Sequence, residues 1–516
     1  MHILTRKIVP PGFYGSKIGL EKEGLRVTRN GGLSQARHPE NLGSALTNPC
    51  ITTDFSESQL ELITPPCPVS DAAIQRLLEI ETFTQQHIGE ELIWSSSMPC
   101  RIENDTEIKV AEYGNSAKGL KKTIYRRGLA HRYGKPMQII SGVHFNHSFS
   151  EKFWELLQKQ YGHTQPIVEF INDRYMQAIR NIQRIDWLLV YLFGASPAVD
   201  RSFPAPKDKL QAYDKETCFL PYATSLRMSD FGYSNNFEHY TESRVRYDSL
   251  HHYISSLEQI ISATHPLFST IPLLADGKQQ QLNHNLLQIE NEHYVSVRPK
   301  QTPLNAESAL QALEKRGIAY IEIRSLDINP FEASGIELQQ LHFLEIFMHH
   351  CLLNPSTEAS QNQSADNAHN LKLTATQGRK PSLQLIRNGK TILLNDWAES
   401  LFSDMQWIAR KLDQDNDCDH YSRSLMHYHR FLKHPERTPS ARILSEMATR
   451  KESFIEFTQR QSLHNHQYFM SRPMHKNRLR YYAALSRLSI LEQTQLESSN
   501  ENPCRNHSDH PLCRSA

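Results

Sequence analysis

Hydrophobic and polar residues alternate along several short stretches in the first 350 residues of the chain. Successive side chains of a β-strand point to opposite sides, so this alternation predicts strands with one apolar and one polar face. Strands of this kind are typical of antiparallel sheets covered by helices on one side. The polar faces comprise Glu21 and Glu23 in 19–27, Glu61 in 59–64, Gln138, Ile140, His144 and Asn146 in 138–149, and Glu322 and Arg324 in 320–325.

Longer stretches place hydrophobic residues at helical spacing, which predicts helices packed on the sheet and an α+β fold. These stretches are 70–92, 154–157, the run through Ile167, Ile171 and Tyr175, 397–412 and 471–493. Two segments rich in Ser, Asn and Asp lack such spacing and predict a loop and a tail. The predicted organisation is a sheet-and-helix core at 1–354, a polar loop at 355–370, a mainly helical part at 371–496 and a polar tail at 497–516.

Two further stretches are less informative. Residues 286–297 alternate like a fifth strand, with Glu290, Glu292 and Tyr294 on one face, and a solvated strand face is the simpler explanation for the two glutamates. Residues 114–122 place two glycines at P-loop spacing but lack the GK[ST] ending that binds phosphate and metal. We therefore predict an ordinary loop there.

Charge and cysteine usage narrow the function classes. The 57 Lys and Arg residues balance 56 Asp and Glu residues, a net charge of +1, which argues against a nucleic-acid binder. The chain shows no apolar run long enough to cross a membrane and no secretory signal. Its eight cysteines are scattered and form no CxxC pair, which favours reduced thiols. We predict a cytoplasmic enzyme or small-molecule binder.

The polar strand faces carry the candidate chemistry. For any one strand taken alone, a solvated face is the better explanation. Glu21 and Glu23 favour a site somewhat more, because like charges on one strand face repel each other without a cation. With Asp54, which precedes the stretch 59–64, the strands supply five carboxylates and one imidazole. This oxygen-rich set suits Mg²⁺ or Mn²⁺ rather than structural zinc.

Longer motifs in the same regions resemble the proteobacterial type of glutamate–cysteine ligase. They cover nearly the whole chain, apart from 355–370 and about the last twenty residues, and they stand in the family's order. They include GLEKEGLRV (19–27), YGNSAKG (113–119), KTIYRRGLAHRYGKPMQIISGVHFN (122–146), YATSLRMSDFGY (222–233), LQIENEHY (287–294) and YIEIRSLDINPF (320–331). One departure is Gly24, where a β-branched residue is common, and it is expected to loosen the strand.

The resemblance implies a curled antiparallel sheet, similar to the cup of glutamine synthetase, with helices outside. It implies that ATP and Mg²⁺, with Mn²⁺ as an alternative, serve to join the γ-carboxyl of L-glutamate to the amino group of L-cysteine. The route would pass through γ-glutamyl phosphate, and the product would be the first intermediate of glutathione biosynthesis. We further expect a monomer that is open to feedback inhibition by glutathione and has no nucleic-acid or membrane partner.

The resemblance also implies roles for individual residues. Arg227 and Arg324 would be catalytic and would bind a substrate carboxylate or phosphate. The metal ligands would be Glu21, Glu23, Asp54, Glu61, His144 and Glu322. The remaining substrate-binding residues would be Phe55, Tyr125, Gln138, Ile140, Asn146, Tyr233 and Tyr294, with four of them, Phe55, Tyr125, Tyr233 and Tyr294, around the cysteine.

Three other functions stay open at this stage. A related carboxylate–amine ligase would use the same cup with a different amine acceptor. A guanidino kinase also combines a sheet with arginines, but it would form a phosphagen and not an amide. A binding protein without activity could use the Arg- and Tyr-rich stretch 123–135 for RNA or a small anion, although the full acidic set argues against it.

Overall fold

The computed structural model describes most of the chain. The described residues are 15–204, 207–232, 244–304, 307–356 and 361–499. Tyr233 and residues 500–516, which include nearly all of the predicted tail, lie outside them.

The strands fall mainly in the first two thirds of the chain. They are β1 (Lys17–Val27), β2 (Ile51–Thr53), β3 (Gln59–Ile63), β4 (Leu92–Ile93), β5 (Val143–Ser148), β6 (Ala198–Asp200), β7 (Gln211–Ala212), β8 (Thr217–Phe219), β9 (Leu274–Ala275), β10 (Lys278–Gln279), β11 (Val297–Lys300), β12 (Tyr320–Leu326), β13 (Gln384–Arg387) and β14 (Lys390–Leu393).

The helices continue to the end of the described chain. They are α1 (Ser70–Gln85), α2 (Ala117–Tyr133), α3 (Lys135–Gln138), α4 (Glu151–Tyr161), α5 (Ile167–Phe193), α6 (Leu250–Ser262), α7 (Pro266–Ser269), α8 (Ala309–Arg316), α9 (Leu338–Leu353), α10 (Gln361–Gln377), α11 (Leu394–Asn416), α12 (His420–Lys433), α13 (Pro439–Arg450), α14 (Phe454–Ser471) and α15 (Lys476–Ser498).

Seven strands form one antiparallel sheet in the order β11-β12-β5-β1-β3-β2, with β4 paired to one end of β1. The long strand β1 pairs with β5 over residues 17–22 and with β3 over residues 21–25, so both pairings include Glu21 and Lys22. In that register Glu23 lies opposite Glu61 and Glu21 lies opposite His144. The polar residues of three neighbouring strands therefore meet on one face of the sheet.

A β-bulge interrupts the pairing of β12 with β5. Ile323 pairs with Phe145, but the next pair joins Leu326 to Val143, so β12 carries one extra residue there. The extra residue bends the strand and changes the direction of the side chains beside it. Arg324 lies within the bulge.

The other face of the sheet packs on the main hydrophobic core. Apolar residues of β1, β3, β5 and β12 contact helices α1, α5 and α9, and α11 and α12 extend the same core. One buried ion pair crosses this layer, because Lys22 of β1 points away from Glu21 and lies 2.6 Å from Glu81 of α1. A buried pair is costly to break, since the remaining charge would be left without a partner. This pair therefore fixes β1 against α1.

A second hydrophobic core closes one end of the sheet. It contains the last residues of β1, the segment around Ile139 and Ile140, and side chains of α13 and α14. The C-terminal helices thus complete the same folded body as the sheet. The division into parts at residues 354 and 371 stays a prediction.

The C-terminal helix α15 docks on two loops near the sheet. Ser489 accepts a hydrogen bond from the backbone N–H of Ser44 at 2.9 Å, and Glu497 accepts one from the N–H of Asn115 at 2.9 Å. Gly43 has a φ of +85°, and a Cβ there would lie 2.7 Å from the Cα of Ser486. The first loop can approach α15 this closely only with glycine at this position.

Most strand predictions are confirmed, and two are wrong in extent. The stretch 138–149 forms a strand only from Val143, because Gly134 and Pro136 start the short helix α3, which ends at Gln138. The stretch 286–297 is not a strand before Val297. Its glutamates lie in a 3₁₀ turn, where the Glu292 carboxylate is held by Arg132 at 3.0 Å. Tertiary hydrogen bonds override the local alternation here.

The predicted loop at 355–370 is also wrong, because helix α10 begins at Gln361. Its polar residues are used in packing, since Asn370 is buried and its side chain exchanges two hydrogen bonds with the backbone of Ile386 in β13. This packing depends on a partner in a later strand. It therefore leaves no helical spacing of apolar residues in the sequence of α10. The predicted loop at 114–122 is likewise helical from Ala117, after the N-cap residue Ser116.

The predicted helices are confirmed with different bounds, since α4 and α11 extend beyond 154–157 and 397–412. The helix predicted over 70–92 ends at Gln85, and the stretch 471–493 is divided between α14 and α15 by a break that contains Pro473. Among the described residues, no helix is both long and apolar enough to span a membrane.

Gly24 of β1 is explained by packing and does not leave a gap. A Cβ at this position would lie 2.7 Å from Cγ2 of Ile93 in β4, so the isoleucine already fills the space of a side chain. We expect Gly24→Ala to destabilise the protein by about 1–3 kcal/mol through overpacking. Ile93→Ala, which removes Cγ2, should relieve the clash, so the double variant should unfold at a higher temperature than the two separate losses predict.

Thermal unfolding of the four proteins measures this coupling. Gly19→Ala is the matched control in the same strand, because its Cβ would meet its nearest neighbour at an ordinary 3.4 Å. Strictly additive shifts for Gly24 and Ile93 would contradict the packing explanation.

Candidate active site

One cavity of about 270 Å³ opens on the polar face of the sheet. Its residues from the sheet lie on β1, β3, β5, β11 and β12, with Asp54 directly after β2, and helices α2 and α3 and several loops supply the others. Adjacent strands lie about 4.8 Å apart, so a flat sheet would spread these six strands over more than 20 Å. Because all of them reach one small cavity, the sheet is curled into a cup. The expected curled antiparallel sheet is thus confirmed.

One half of the cup is acidic. The ligand atoms of Glu21, Glu61 and His144 all lie within 4.8 Å of one another. His144 Nδ1 is 3.0 Å from a carboxylate oxygen of Glu21, whose other oxygen accepts a hydrogen bond from Asn146 at 2.9 Å. Glu23 accepts a hydrogen bond from the backbone N–H of Gly142 at 2.7 Å. The carboxylates are thus oriented by their neighbours and converge on one point.

Two carboxylates of this half, Glu61 and Glu23, are in an environment that disfavours their charge without a cation. Burial raises the pKa of the Glu61 carboxyl well above its ordinary value, and the charges of Glu21 and Asp54 raise it further. Burial and the charge of Asp54 also raise the pKa of Glu23. Repulsion among buried carboxylates is relieved when a divalent cation binds between them. The converging oxygens and one imidazole fit a hard cation such as Mg²⁺ or Mn²⁺.

The opposite half of the cup contains paired charges. Glu322 lies 3.4 Å from Lys300 and 3.2 Å from Arg324. Burial alone would raise the pKa of Glu322, but these two cations hold it well below its ordinary value. The Glu322 carboxylate in turn raises the pKa of Lys300, so both partners remain charged.

Arg324 points across the cup between the two halves. Its Nη1 lies 3.4 Å from Nδ1 of His144, and its buried Nε has no hydrogen-bond partner among the described residues. A buried donor without a partner is costly, so this nitrogen fits an anionic ligand that would accept from it. Arg227 also lines the cavity, 1% exposed, from the loop after β8.

Aromatic rings form part of the cavity wall. Phe55, Tyr125 and Tyr294 line the cavity. Burial raises the pKa of both phenols, so they stay neutral and can act as hydrogen-bonding groups. Tyr233, the fourth predicted aromatic residue, lies outside the described residues.

The structure brings most of the predicted residues to this cavity. Those that line it are Glu21, Glu23, Asp54, Phe55, Glu61, Tyr125, Gln138, His144, Arg227, Tyr294, Glu322 and Arg324. Two of the predicted residues do not line it. Asn146 donates a hydrogen bond to Glu21 and so orients a residue of the cavity without lining it. Ile140 is fully buried in the second hydrophobic core next to the cup.

Sequence reasoning missed several residues of the wall. Arg298 and Lys300 lie on one face of β11, and Arg298 is opposite Glu322 in the register of β12. Alternation in the short sequence VRPK could have indicated them. Arg126 of α2, in the basic stretch 123–135, lines the cavity and donates a hydrogen bond to the carbonyl of Asp54. Its role depends on a contact that no local pattern shows.

Comparison with known proteins gives a consistent result. The family model described as glutamate–cysteine ligase matches residues 2–374. The chain is 41% identical to the glutamate–cysteine ligase of Alcanivorax borkumensis over 508 residues, 97% of this chain and 96% of that protein. It is 42% identical to the one of Pseudomonas fluorescens over 482 residues, 93% of this chain and 90% of that protein.

Solved structures show the same relationship. A crystal structure of glutamate–cysteine ligase from Francisella tularensis in complex with AMP has a TM-score of 0.89 and 34% identity, with 95% of this chain and 96% of that chain covered. A bifunctional glutathione synthetase from Pasteurella multocida has a TM-score of 0.72 and 25% identity, with 92% of this chain and 56% of that chain covered. The chain is therefore an ATP-dependent ligase that belongs to the glutamate–cysteine ligase family, whose reaction is the first step of glutathione biosynthesis.

Proposed function

We propose that the cup joins the γ-carboxyl of L-glutamate to the amino group of L-cysteine through γ-glutamyl phosphate, with Mg²⁺ in its acidic half. The observation that carries this proposal is the division of one cavity into a cluster of carboxylates and a cluster of cations. The names of the relatives, which are called glutamate–cysteine ligases, support the two amino acids as substrates.

A carboxylate is a poor electrophile until its oxygen is converted to a leaving group. Transfer of the terminal phosphoryl group of ATP achieves this, and such transfer depends on positioning and on neutralisation of charge. Glu21, Glu61 and His144 would hold one Mg²⁺ ion in the acidic half. We propose Glu23, Asp54 and, from the opposite half, Glu322 as the other ligands, which together would serve more than one ion. When bound, Mg²⁺ neutralises phosphate oxygens.

The side chains of the protein have the remaining tasks. Arg324 is suited to bind a phosphate or carboxylate with its forked donors, and Lys300 adds a second positive charge at the same end. Both stay charged because Glu322 raises the pKa of each against the opposing effect of burial. The tetrahedral intermediate formed by the attacking amine carries a negative charge, which these cations would stabilise.

The aromatic wall is proposed to bind the acceptor. Phe55, Tyr125 and Tyr294 provide apolar faces, and sulfur packs favourably against aromatic rings. A small thiol side chain suits this wall better than a charged one. The predicted roles of Gln138, Ile140 and Tyr233 stay predictions, as do the monomeric state and feedback inhibition by glutathione. A cytoplasmic location is also proposed, and the free thiols of the six cysteines described agree with a reducing compartment.

The route through γ-glutamyl phosphate predicts the fate of one oxygen atom. Glutamate labelled with heavy oxygen in its γ-carboxyl should transfer one labelled oxygen to inorganic phosphate for each amide formed. Mass spectrometry of phosphate and peptide measures this. Label in AMP would indicate an adenylate and would contradict the route. A phosphagen without amide would indicate a guanidino kinase, and omission of cysteine is the control for amide formation.

Replacing a glutamate by glutamine should change the melting temperature in opposite directions in the two halves of the cup. The pKa of Glu61 is raised, so the folded protein binds its proton more tightly than the unfolded chain, and stability falls as pH rises above the ordinary glutamate value. The pKa of Glu322 is lowered, so its contribution is present at neutral pH and is lost on acidification. In a chelator at neutral pH, Glu61→Gln should raise the melting temperature, and Glu322→Gln should lower it.

Added Mg²⁺ completes this test. It should raise the melting temperature of the wild type and have much less effect on Glu61→Gln, and both variants should lose activity by orders of magnitude. Equal shifts of the same sign for the two variants in chelator would contradict the electrostatic division of the cup.

We propose that Arg324 donates two parallel hydrogen bonds to one anion, so a substitution that keeps only its charge should lower activity strongly. Arg324→Lys should lower kcat/KM by about 100-fold, because lysine cannot donate two parallel hydrogen bonds to one anion. Arg460→Lys is the matched control. Arg460 of α14 donates from Nε and from Nη2 to the two carboxylate oxygens of Glu452, each at 2.8 Å. Activity of Arg324→Lys close to that of this control would reject the fork.

A further inference from the structure

Arg227 is held in the cup by the backbone of β12. Its Nη2 donates to the carbonyl of Arg324 at 2.7 Å, and its Nη1 donates to the carbonyl of Leu326 at 3.3 Å. A Cβ at Gly142 would lie 2.2 Å from Nη2, so only glycine leaves room for the guanidinium at this point. The position of Arg227 is thus fixed by β12 on one side and by Gly142, the residue before β5, on the other.

The carbonyl of Arg324 lies within the β-bulge of β12, and the carbonyl of Leu326 lies directly after it. The extra residue places Arg324 and Ser325 opposite His144 of β5, so the regular ladder is interrupted there. A buried carbonyl needs a hydrogen-bond donor, and the guanidinium of Arg227 donates to the carbonyl of Arg324 within the interrupted part of the ladder. The other edge of β12 remains paired, because the N–H of Arg324 donates to the carbonyl of Ser296 at 2.8 Å. Arg227 therefore stabilises the backbone conformation from which Arg324 enters the cup.

Asp327 lies immediately behind this arrangement and is completely buried. One of its oxygens accepts hydrogen bonds from the N–H of Ala195 at 2.8 Å and from the hydroxyl of Ser196 at 2.6 Å. The other accepts from the hydroxyl of Ser225 at 3.0 Å and lies 3.6 Å from Nη1 of Arg227. Asp327 thus contacts both the charge of Arg227 and the loop from which it extends.

We infer that Asp327 is a positioning residue that holds Arg227 against the bulge of β12 and, through it, directs Arg324 into the cup. Asp327 does not line the cavity, so it acts only through the arginines. This inference rests on the proposed function, because it assumes that the two arginines serve the ligation reaction.

A double-mutant cycle tests the inference. Asp327→Asn keeps the volume, but it removes the charge and places an amide NH₂ against groups that already donate. We expect kcat for γ-glutamylcysteine formation to fall at least about tenfold, as it should for Arg227→Lys. Both changes disturb the same arrangement. The kcat of the double variant should therefore be no more than about threefold lower than that of the less active single variant. Multiplied losses would overturn the inference.

A matched control separates positioning from a general effect of losing a buried carboxylate. Glu345→Gln removes such a group from α9, where Glu345 is 4% exposed and accepts from Ser70 at 2.6 Å, away from the cup. It should leave kcat within about twofold of the wild type, whatever its effect on the melting temperature. A loss as large as that of Asp327→Asn would overturn the inference.

A milder variant keeps the test decisive if Asp327→Asn does not fold. Ser225→Ala removes a single hydrogen bond to Asp327 and should lower kcat several-fold in the wild type but hardly at all in the Arg227→Lys background. Unchanged kcat in Ser225→Ala, or the same fold-loss in both backgrounds, would overturn the inference. If the wild type itself made no γ-glutamylcysteine in this assay, the proposed function would fail instead.

Discussion

The register of strand β1 is the constraint on which the site depends. This strand is paired along both edges, so Glu21 and Glu23 are placed simultaneously against His144 on one side and Glu61 on the other. A slip of one residue would turn Lys22 into the cup and the two carboxylates into the apolar core. The ion pair of Lys22 with Glu81 opposes that slip from behind the sheet, since it would have to be broken inside the core.

Charge separation within the cup follows from the order of the strands. The acidic side chains of β1 and β3 are neighbours, and the imidazole of His144 on β5 lies 3.0 Å from Glu21 and 3.6 Å from Glu23. The carboxylate of Glu322 on β12 has Lys300 and Arg324 within 3.4 Å. A ligand that fills both halves must be anionic at one end and must bring a cation to the other. A complex of a nucleotide triphosphate with a divalent metal has this distribution of charge.

Periodicity predicted the strands that carry the site because one face of each is buried, which is the condition for clean alternation. It failed where distant contacts determine the local conformation. Gln138 belongs to a short helix started by Pro136, and the polar segment after Gln361 is helical because Asn370 bonds to β13. Family motifs located most of the cup residues. The motifs could not show Lys300 as the partner of Glu322, because register between strands is a property of the fold and not of either strand alone.

The docking of α15 has a consequence for how the protein is made. The loop that begins at Gly43 leads through β2 to Asp54. It is fixed by the hydrogen bond from Ser44 to Ser489, which lies 445 residues further along the chain. A ribosome delivers the chain from its N-terminus, and early segments can fold before late ones emerge. The segment before β2 must nevertheless wait for α15. This wall of the cup is therefore completed only after synthesis of almost the entire chain, and a nascent polypeptide carries an unfinished site until then.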